Sequence, residues 1–209
     1  MRGSILIVYG TKSGSTGGVA AAVGETLREL DATVDVHQVG NVSEVGSYDA
    51  VIVGSPVLYG KPHPAVVKFL ERNQGALSRM PVAAFLTCLE LTRTADENER
   101  GIPIYVDPSL GRRPADNERM SYFEKTHLMS GFVNGLLKSA PQVRPVSVAV
   151  FRGKLDYDGL DWISRLVMKL IWLIYRSAPE GDFRNWQAIR SWATTLPATL
   201  LAVEGESEA

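Results

Sequence analysis

The sequence predicts an α/β domain built on an open, doubly wound parallel sheet of five strands. Three observations carry this. Apolar runs of strand length alternate with longer stretches of helical periodicity. Two of the runs, 50–55 (AVIVGS) and 82–87 (VAAFLT), are almost continuously apolar, as strands covered on both faces are. The first run, 4–9, passes directly into a small polar loop and then a helical pattern, the strand–loop–helix unit of such sheets.

In chain order, 4–9 is strand one. Residues 16–30 form helix one, with Val19, Ala20, Val23, Leu27 and Leu30 on its apolar face and Thr16 or Ser15 as its N-cap. Strand two, 33–38, sets Val34 and Val36 against Asp35 and His37, an alternation that suits a position at or near a sheet edge. Strand three is 50–55, and 56–62 is a loop. His63 or Pro64 opens a helix running to Gln74, with Val66, Val67 and Leu70 inward. Strand four is 82–87. A long polar connection, 91–116, precedes a helix over 117–138. Strand five is 145–151, followed by a strongly apolar helix over 158–176 and a last helix over 185–201.

Composition bounds the rest. The chain has 209 residues, within the range of one domain, and its 45% hydrophobic content fills an ordinary core. A net charge of -1 gives no footprint for nucleic acid. Cys88 is the single cysteine, so no intramolecular disulfide forms and a reducing, cytoplasmic setting is expected. The apolar start lacks the length and cleavage site of a signal peptide and reads as a strand. No apolar run reaches 18 residues, so a spanning helix is not expected.

The loop after strand one carries the first chemical signal. It reads Y-G-T-K-S-G-S-T-G, and four hydroxyls (Thr11, Ser13, Ser15, Thr16) fall within six residues. Glycines let backbone approach an anion, hydroxyls donate to it, and the first helical turn points N–H groups at it. The same residues also suit an ordinary turn with helix-capping hydroxyls. The loop has no Gly-Lys-Ser/Thr at Walker spacing, and it is not G-x-G-x-x-G with an acidic residue placed for a ribose. A single phosphate monoester, held largely by neutral donors, is therefore expected. In a doubly wound sheet the ligand lies outside the carboxyl ends of the strands. The loops after strands one, three and four (10–15, 56–62 and 88–94) thus belong to one site.

Those loops carry a resemblance. The T-x-x-x-x-T of Thr11 to Thr16, without a Walker lysine, and the S-P-V-L-Y-G of Ser55 to Gly60 resemble flavodoxin-type FMN-binding proteins. The longer G-S-P-V-L-Y-G-K-P-H-P, followed by a helix with F-L and a strand opened by M-P, resembles the menaquinone-dependent protoporphyrinogen oxidases. The late segment F-R-G-K-L-D-Y-D-G-L-D-W-I-S-R-L-V-M-K-L-I resembles that family's insertion.

The resemblance implies a flavodoxin-like strand order of 2-1-3-4-5, with the extra apolar helix inserted after strand five, and FMN as the cofactor. It carries phosphate binding onto Thr11, Lys12, Ser13, Gly14, Ser15 and Thr16. It lays Ser55, Pro56, Val57, Leu58, Tyr59, Gly60 and Lys61 along the isoalloxazine. Tyr59 either stacks on the ring or merely covers the core, and Gly60 allows a peptide to approach the ring. Thr87, Cys88 and Leu89 meet its other side or its pyrimidine end. No aromatic residue stands in that third loop, which leaves the second flavin face open to a stacking substrate. Cys88 has no CxxC partner and reads as a small buried hydrophobe. His37 reads as solvated, His63 as a pocket residue or a helix cap, and His127 as packing. No two histidines have metal-ligand spacing, so no metal is expected. No catalytic acid or base is identified.

Two segments bear on the substrate. Residues 91–116 suit either a lid over the flavin, with Arg93, Arg112 and Arg113 meeting carboxylates, or a solvated excursion. In 158–176 a broad apolar surface with Trp162, Trp172 and Tyr175 carries a basic stripe of Arg165, Lys169 and Arg176. That composition suits a helix in a membrane interface, at the inner face of the cell membrane, and also one buried in the domain or in a dimer. The expected function is FMN-dependent oxidation of a flat, apolar porphyrinogen with a membrane quinone as acceptor. An electron-carrier flavodoxin and an FMN-dependent quinone reductase are the alternatives.

Overall fold

The computed structural model describes residues 3–93, 101–111, 119–155 and 180–200. The strands are β1 (Ser4–Tyr9), β2 (Thr33–Gln38), β3 (Ala50–Leu58), β4 (Lys61–Pro62), β5 (Val82–Cys88), β6 (Ile104–Val106), β7 (Ser147–Arg152), β8 (Lys154–Leu155) and β9 (Gly181–Asp182). The helices are α1 (Ser15–Glu29), α2 (Pro64–Leu77), α3 (Tyr122–Thr126), α4 (Met129–Leu137) and α5 (Trp186–Leu200). The main sheet has the order β2-β1-β3-β5-β7-β6, with every neighbouring pair parallel. Thus the five expected strands stand in the expected order, with β2 at one edge. All their carboxyl ends face one side of the molecule.

Alternation along the strands sorts the core into two layers. Ile5, Ile7, Ile52, Phe85 and Phe151 pack with α1 and α5. Leu6, Val8, Val51, Val53, Leu86, Val148 and Val150 pack with α2 and α4 on the other face. β5 is buried along its whole length, as its continuous apolar run requires. Trp192 of α5 sits edge-on to Phe85 and Phe151, and its indole N–H donates to Ser147 Oγ at 3.0 Å. A buried indole without such a partner would be costly.

The structure departs from the sequence reading in four places. The sheet is wider than five strands, because β6 adds a parallel edge strand from within the long connection 91–116. At three residues it is too short to show a period. It is held by long-range bonds instead: Val148 N–H to the Pro103 carbonyl (3.0 Å) and Asp107 N–H to the Val150 carbonyl (2.9 Å). The loop placed at 56–62 is mostly strand: β3 continues through Pro56 to Leu58 and folds back into β4. The helix placed at 117–138 is two helices. Ser121 and Glu124 form a reciprocal capping box that starts α3. Thr92 N–H donates to the His127 carbonyl at 2.8 Å, and that pairing holds Leu128 extended ahead of α4. Finally, neither Ser15 nor Thr16 caps α1. Gly14 occupies the N-cap with φ 83° and makes no side-chain cap.

The apolar helix expected at 158–176 lies outside the described residues, as do Arg112 and Arg113.

Candidate functional site

Three strand ends are bonded together where the loops leave the sheet. Gly10, following β1, donates its N–H to the Gly54 carbonyl of β3 at 2.9 Å. A side chain at Gly10 would strike Val66 and the His63 ring, so the close approach of β1 and α2 requires glycine there. Ser55, fully buried in β3, accepts the His63 N–H at 2.9 Å and donates to the Pro56 carbonyl at 3.0 Å. Thr16 of α1 and Thr87 of β5 meet hydroxyl to hydroxyl at 3.0 Å, both buried.

The first loop is open and lined by donors. Lys12, Ser13 and Gly14 are exposed, and Thr11 and Ser15 are half-buried. Thr11 Oγ1 accepts the Gly14 N–H at 2.8 Å, which closes the loop on itself. Gly14 has open space where a side chain would project. The α1 first turn contains no acidic residue, so its free N–H groups keep their positive field. Thr16 departs from the others: its hydroxyl faces inward to Thr87 rather than out into the loop.

The second loop reduces to a two-residue hairpin, Tyr59-Gly60, with Leu58 opposite Lys61. Both central residues have positive φ, 52° and 76°, the condition of a type I′ turn. Gly60 suits it. Tyr59 does not, since a bulky left-handed residue costs roughly 1–3 kcal/mol and such strain clusters at functional sites. The strain presents the ring outward: Tyr59 is 64% exposed. Gly60 is also pressed against α3, where a Cβ would lie 2.7 Å from the Thr126 carbonyl oxygen. Pro56 is buried, and Val57 and Leu58 are half-buried along the strand leading to the turn.

In the third loop Thr87 and Cys88 still belong to β5, and only Leu89 leaves it, half-buried. The Cys88 side chain joins the α2/α4 core. Burial pushes its thiol far above the ordinary value, and the charges of Glu90 and Asp107 add to this against an opposing Arg152. A thiol so held is not a thiolate nucleophile.

The histidines sort clearly. His63 is the N-cap of α2, its Nδ1 accepting the Ala65 N–H at 3.3 Å, and burial lowers its pKa below the ordinary value. Its neutral ring thus stands beside Gly10. His127 stacks on Phe123 at 4.1 Å and packs against Phe132. His37 is exposed.

Sequence reasoning missed two features at this end of the sheet. Asp107, fully buried, accepts from Ser109 N–H and Oγ (both 2.9 Å), Asn185 Nδ2 (3.0 Å) and Arg152 N–H (3.3 Å). Arg184 reaches from the β9–α5 connection to the first turn of α1. An isolated Asp in a polar stretch and an Arg near a helix start carry no pattern that reveals such partners. Only the D-x-S of Asp107 and Ser109, an Asx-type turn signal, was there to be read.

Comparison with known proteins agrees with this geometry. A family model described as "Flavodoxin domain" matches residues 6–180. The protoporphyrinogen IX dehydrogenase [quinone] of Escherichia coli (strain K12) is 28% identical over 199 residues, covering 91% of this chain and 93% of that protein. The protein of the same name from Leishmania major is 24% identical over 205 residues, covering 95% and 76%. Among solved structures, the rubredoxin oxygen:oxidoreductase of Desulfovibrio gigas superposes with a TM-score of 0.52 at 15% identity. The match covers 97% of this chain and 37% of that one, and at that identity it bears on the fold alone. The 2-1-3-4-5 core, the hydroxyl-rich loop over α1 and a family match spanning both place this chain in the flavodoxin domain family.

Proposed function

We propose that the protein is an FMN-dependent oxidoreductase that oxidises a porphyrinogen and delivers the electrons to a quinone. The observation that carries the cofactor is the convergence of two features at one end of the sheet. One is an open loop of hydroxyls and helix N–H groups at 11–16. The other is a strained hairpin that presents Tyr59 outward. The donor set fits a phosphomonoester and the exposed ring fits a flat heterocycle. Thr11, Ser13, Gly14 and Ser15 would hold the phosphate. Ser55 to Gly60 and Thr87 to Leu89 would border the ring. Bound there, FMN supplies the redox chemistry, while the protein supplies position and exclusion of water.

The names of the two relatives support the substrate and acceptor classes. Arg93, whose aliphatic stem lies against Gly111, belongs to the 91–116 segment expected to cover the site and would offer a cation to a substrate carboxylate there. Peripheral membrane contact through 158–176 remains part of this proposal on its sequence alone. No helix among the described residues is long and apolar enough to cross a membrane.

The test is an anaerobic assay of FMN-loaded protein with protoporphyrinogen IX and a menaquinone analogue, read by porphyrin fluorescence. The expected result is a quinone-dependent rate above spontaneous oxidation. A rate equal to that background refutes the substrate assignment.

A further inference from the structure

We propose that Arg184 completes the phosphate site: it is the positioning residue and counter-charge through which the protein distinguishes FMN from unphosphorylated flavin. This rests on the phosphate reading of the 11–16 loop.

One charge beside this loop stands where local structure disfavours it. A helix N-terminus carries a partial positive charge and favours acidic neighbours. The α1 first turn has none. Among the described residues a cation lies against it: Arg184 Nη1 points at the Ser15 carbonyl at 3.4 Å and packs on Gly18, where a Cβ would collide with it. Lys12 adds a second positive charge in the same loop. A cation rather than an acid beside a helix N-terminus is local electrostatics at odds with local structure, the kind of departure found at functional sites.

Arg184 is also held too firmly for a casual surface contact. Its Nε and Nη2 edge grips Asp182 in a two-point pair, with Nε to Oδ1 at 2.8 Å and Nη2 to Oδ2 at 2.5 Å. The guanidinium lies over the Trp186 ring at 4.4 Å. The Arg184 side chain is 14% exposed and that of Asp182 is 40% exposed. The pair is therefore an oriented dipole. Its positive partner, the guanidinium, is the more buried one and touches the first turn of α1, and its negative partner is the more solvated one. Water screens the carboxylate better than the guanidinium, so a net positive field is left at the loop. Asp182 and Trp186 fix a planar, always-charged group, which Lys would not replace. The guanidinium occupies the volume that a side chain at Gly18 would take.

The experiment titrates full-length apoprotein with FMN and with riboflavin, followed by quenching of flavin fluorescence. The wild type, Arg184→Met and Arg184→Gln are compared, with thermal unfolding as the fold control. The wild type binds FMN more tightly than riboflavin. In both variants the FMN dissociation constant rises about tenfold, as loss of a charge-assisted partner implies. Riboflavin affinity stays within about twofold, and the FMN loss shrinks at high salt. If Arg184→Met does not fold, Arg184→Gln, which keeps a neutral donor on a shorter side chain, carries the test alone. Unchanged FMN affinity, or equal losses for both ligands, overturns the role of Arg184. A wild type that binds both ligands equally overturns the phosphate reading of the loop, and this inference with it.

Discussion

The hydroxyls of Thr16 and Thr87 are 71 positions apart in sequence and 3.0 Å apart in space. Both are buried, and each is the other's hydrogen-bond partner, so their energetics are those of a pair. Thr16→Val or Thr87→Val alone strands the remaining hydroxyl without water. Each is expected to cost about 1–3 kcal/mol of unfolding free energy. The double Val variant removes both groups and should lose less than the two single losses combined. Urea denaturation of the four proteins checks this, and strict additivity would show that the hydroxyls are independent. The residue types of the 11–16 loop were legible from sequence, but the direction each hydroxyl takes was not. Thr11 turns back to Gly14 and Thr16 turns inward to β5, because partners distant in sequence compete with the cap positions that local pattern suggests.

At the scale of the element, α2 begins on a histidine that works only when neutral. His63 Nδ1 accepts the Ala65 N–H, which a protonated ring cannot do. Burial holds its folded pKa below the unfolded value. As pH falls the unfolded chain therefore binds the proton first. The contribution of the cap is present above about pH 6.5 and is lost as pH drops from there through the folded pKa. His63→Asn, which keeps a capping side chain, should flatten the stability–pH curve in that window. His63→Ala should flatten it too and cost roughly 0.5–2 kcal/mol at pH 8. Thermal unfolding between pH 5 and 8 reads both effects. A wild-type slope that survives in His63→Asn would assign the dependence to another group. Boundaries at this scale were legible where a local signal existed, as with His63-Pro64 before α2. The break between α3 and α4 was not legible, since Thr92 imposes it through the His127 carbonyl, 35 positions away.

Across the whole molecule, Asp107 ties the added edge strand to the last helix. Its carboxylate receives Ser109, Arg152 and Asn185, and Asn185 in turn accepts the Ala188 N–H in the first turn of α5. One buried acid thus joins β6, β7 and α5. Asp107→Asn would set an amide donor among groups that already donate. The expected loss is roughly 1.5–3 kcal/mol, the range for hydrogen bonds to a charged group. Amide exchange should quicken in β6 and the first turn of α5 and stay unchanged in the β1–β2 edge. Uniform quickening across the sheet would show instead that Asp107 supports the global fold.

By itself the sequence determined the alternation of strands and helices, the two faces of the core and the loops that gather at the carboxyl end of the sheet. Those follow from periodicity and burial, which neighbouring residues carry among themselves. The tertiary structure decided what those residues do there. It strained Tyr59 into a type I′ turn, committed Thr16 to Thr87 and His63 to a helix cap, and brought Arg184 across 169 positions to the first turn of α1. Hydrogen bonds and charge pairs have short reach and fixed direction. Chemistry that depends on them is set by which chain segments fold together, which no local pattern records.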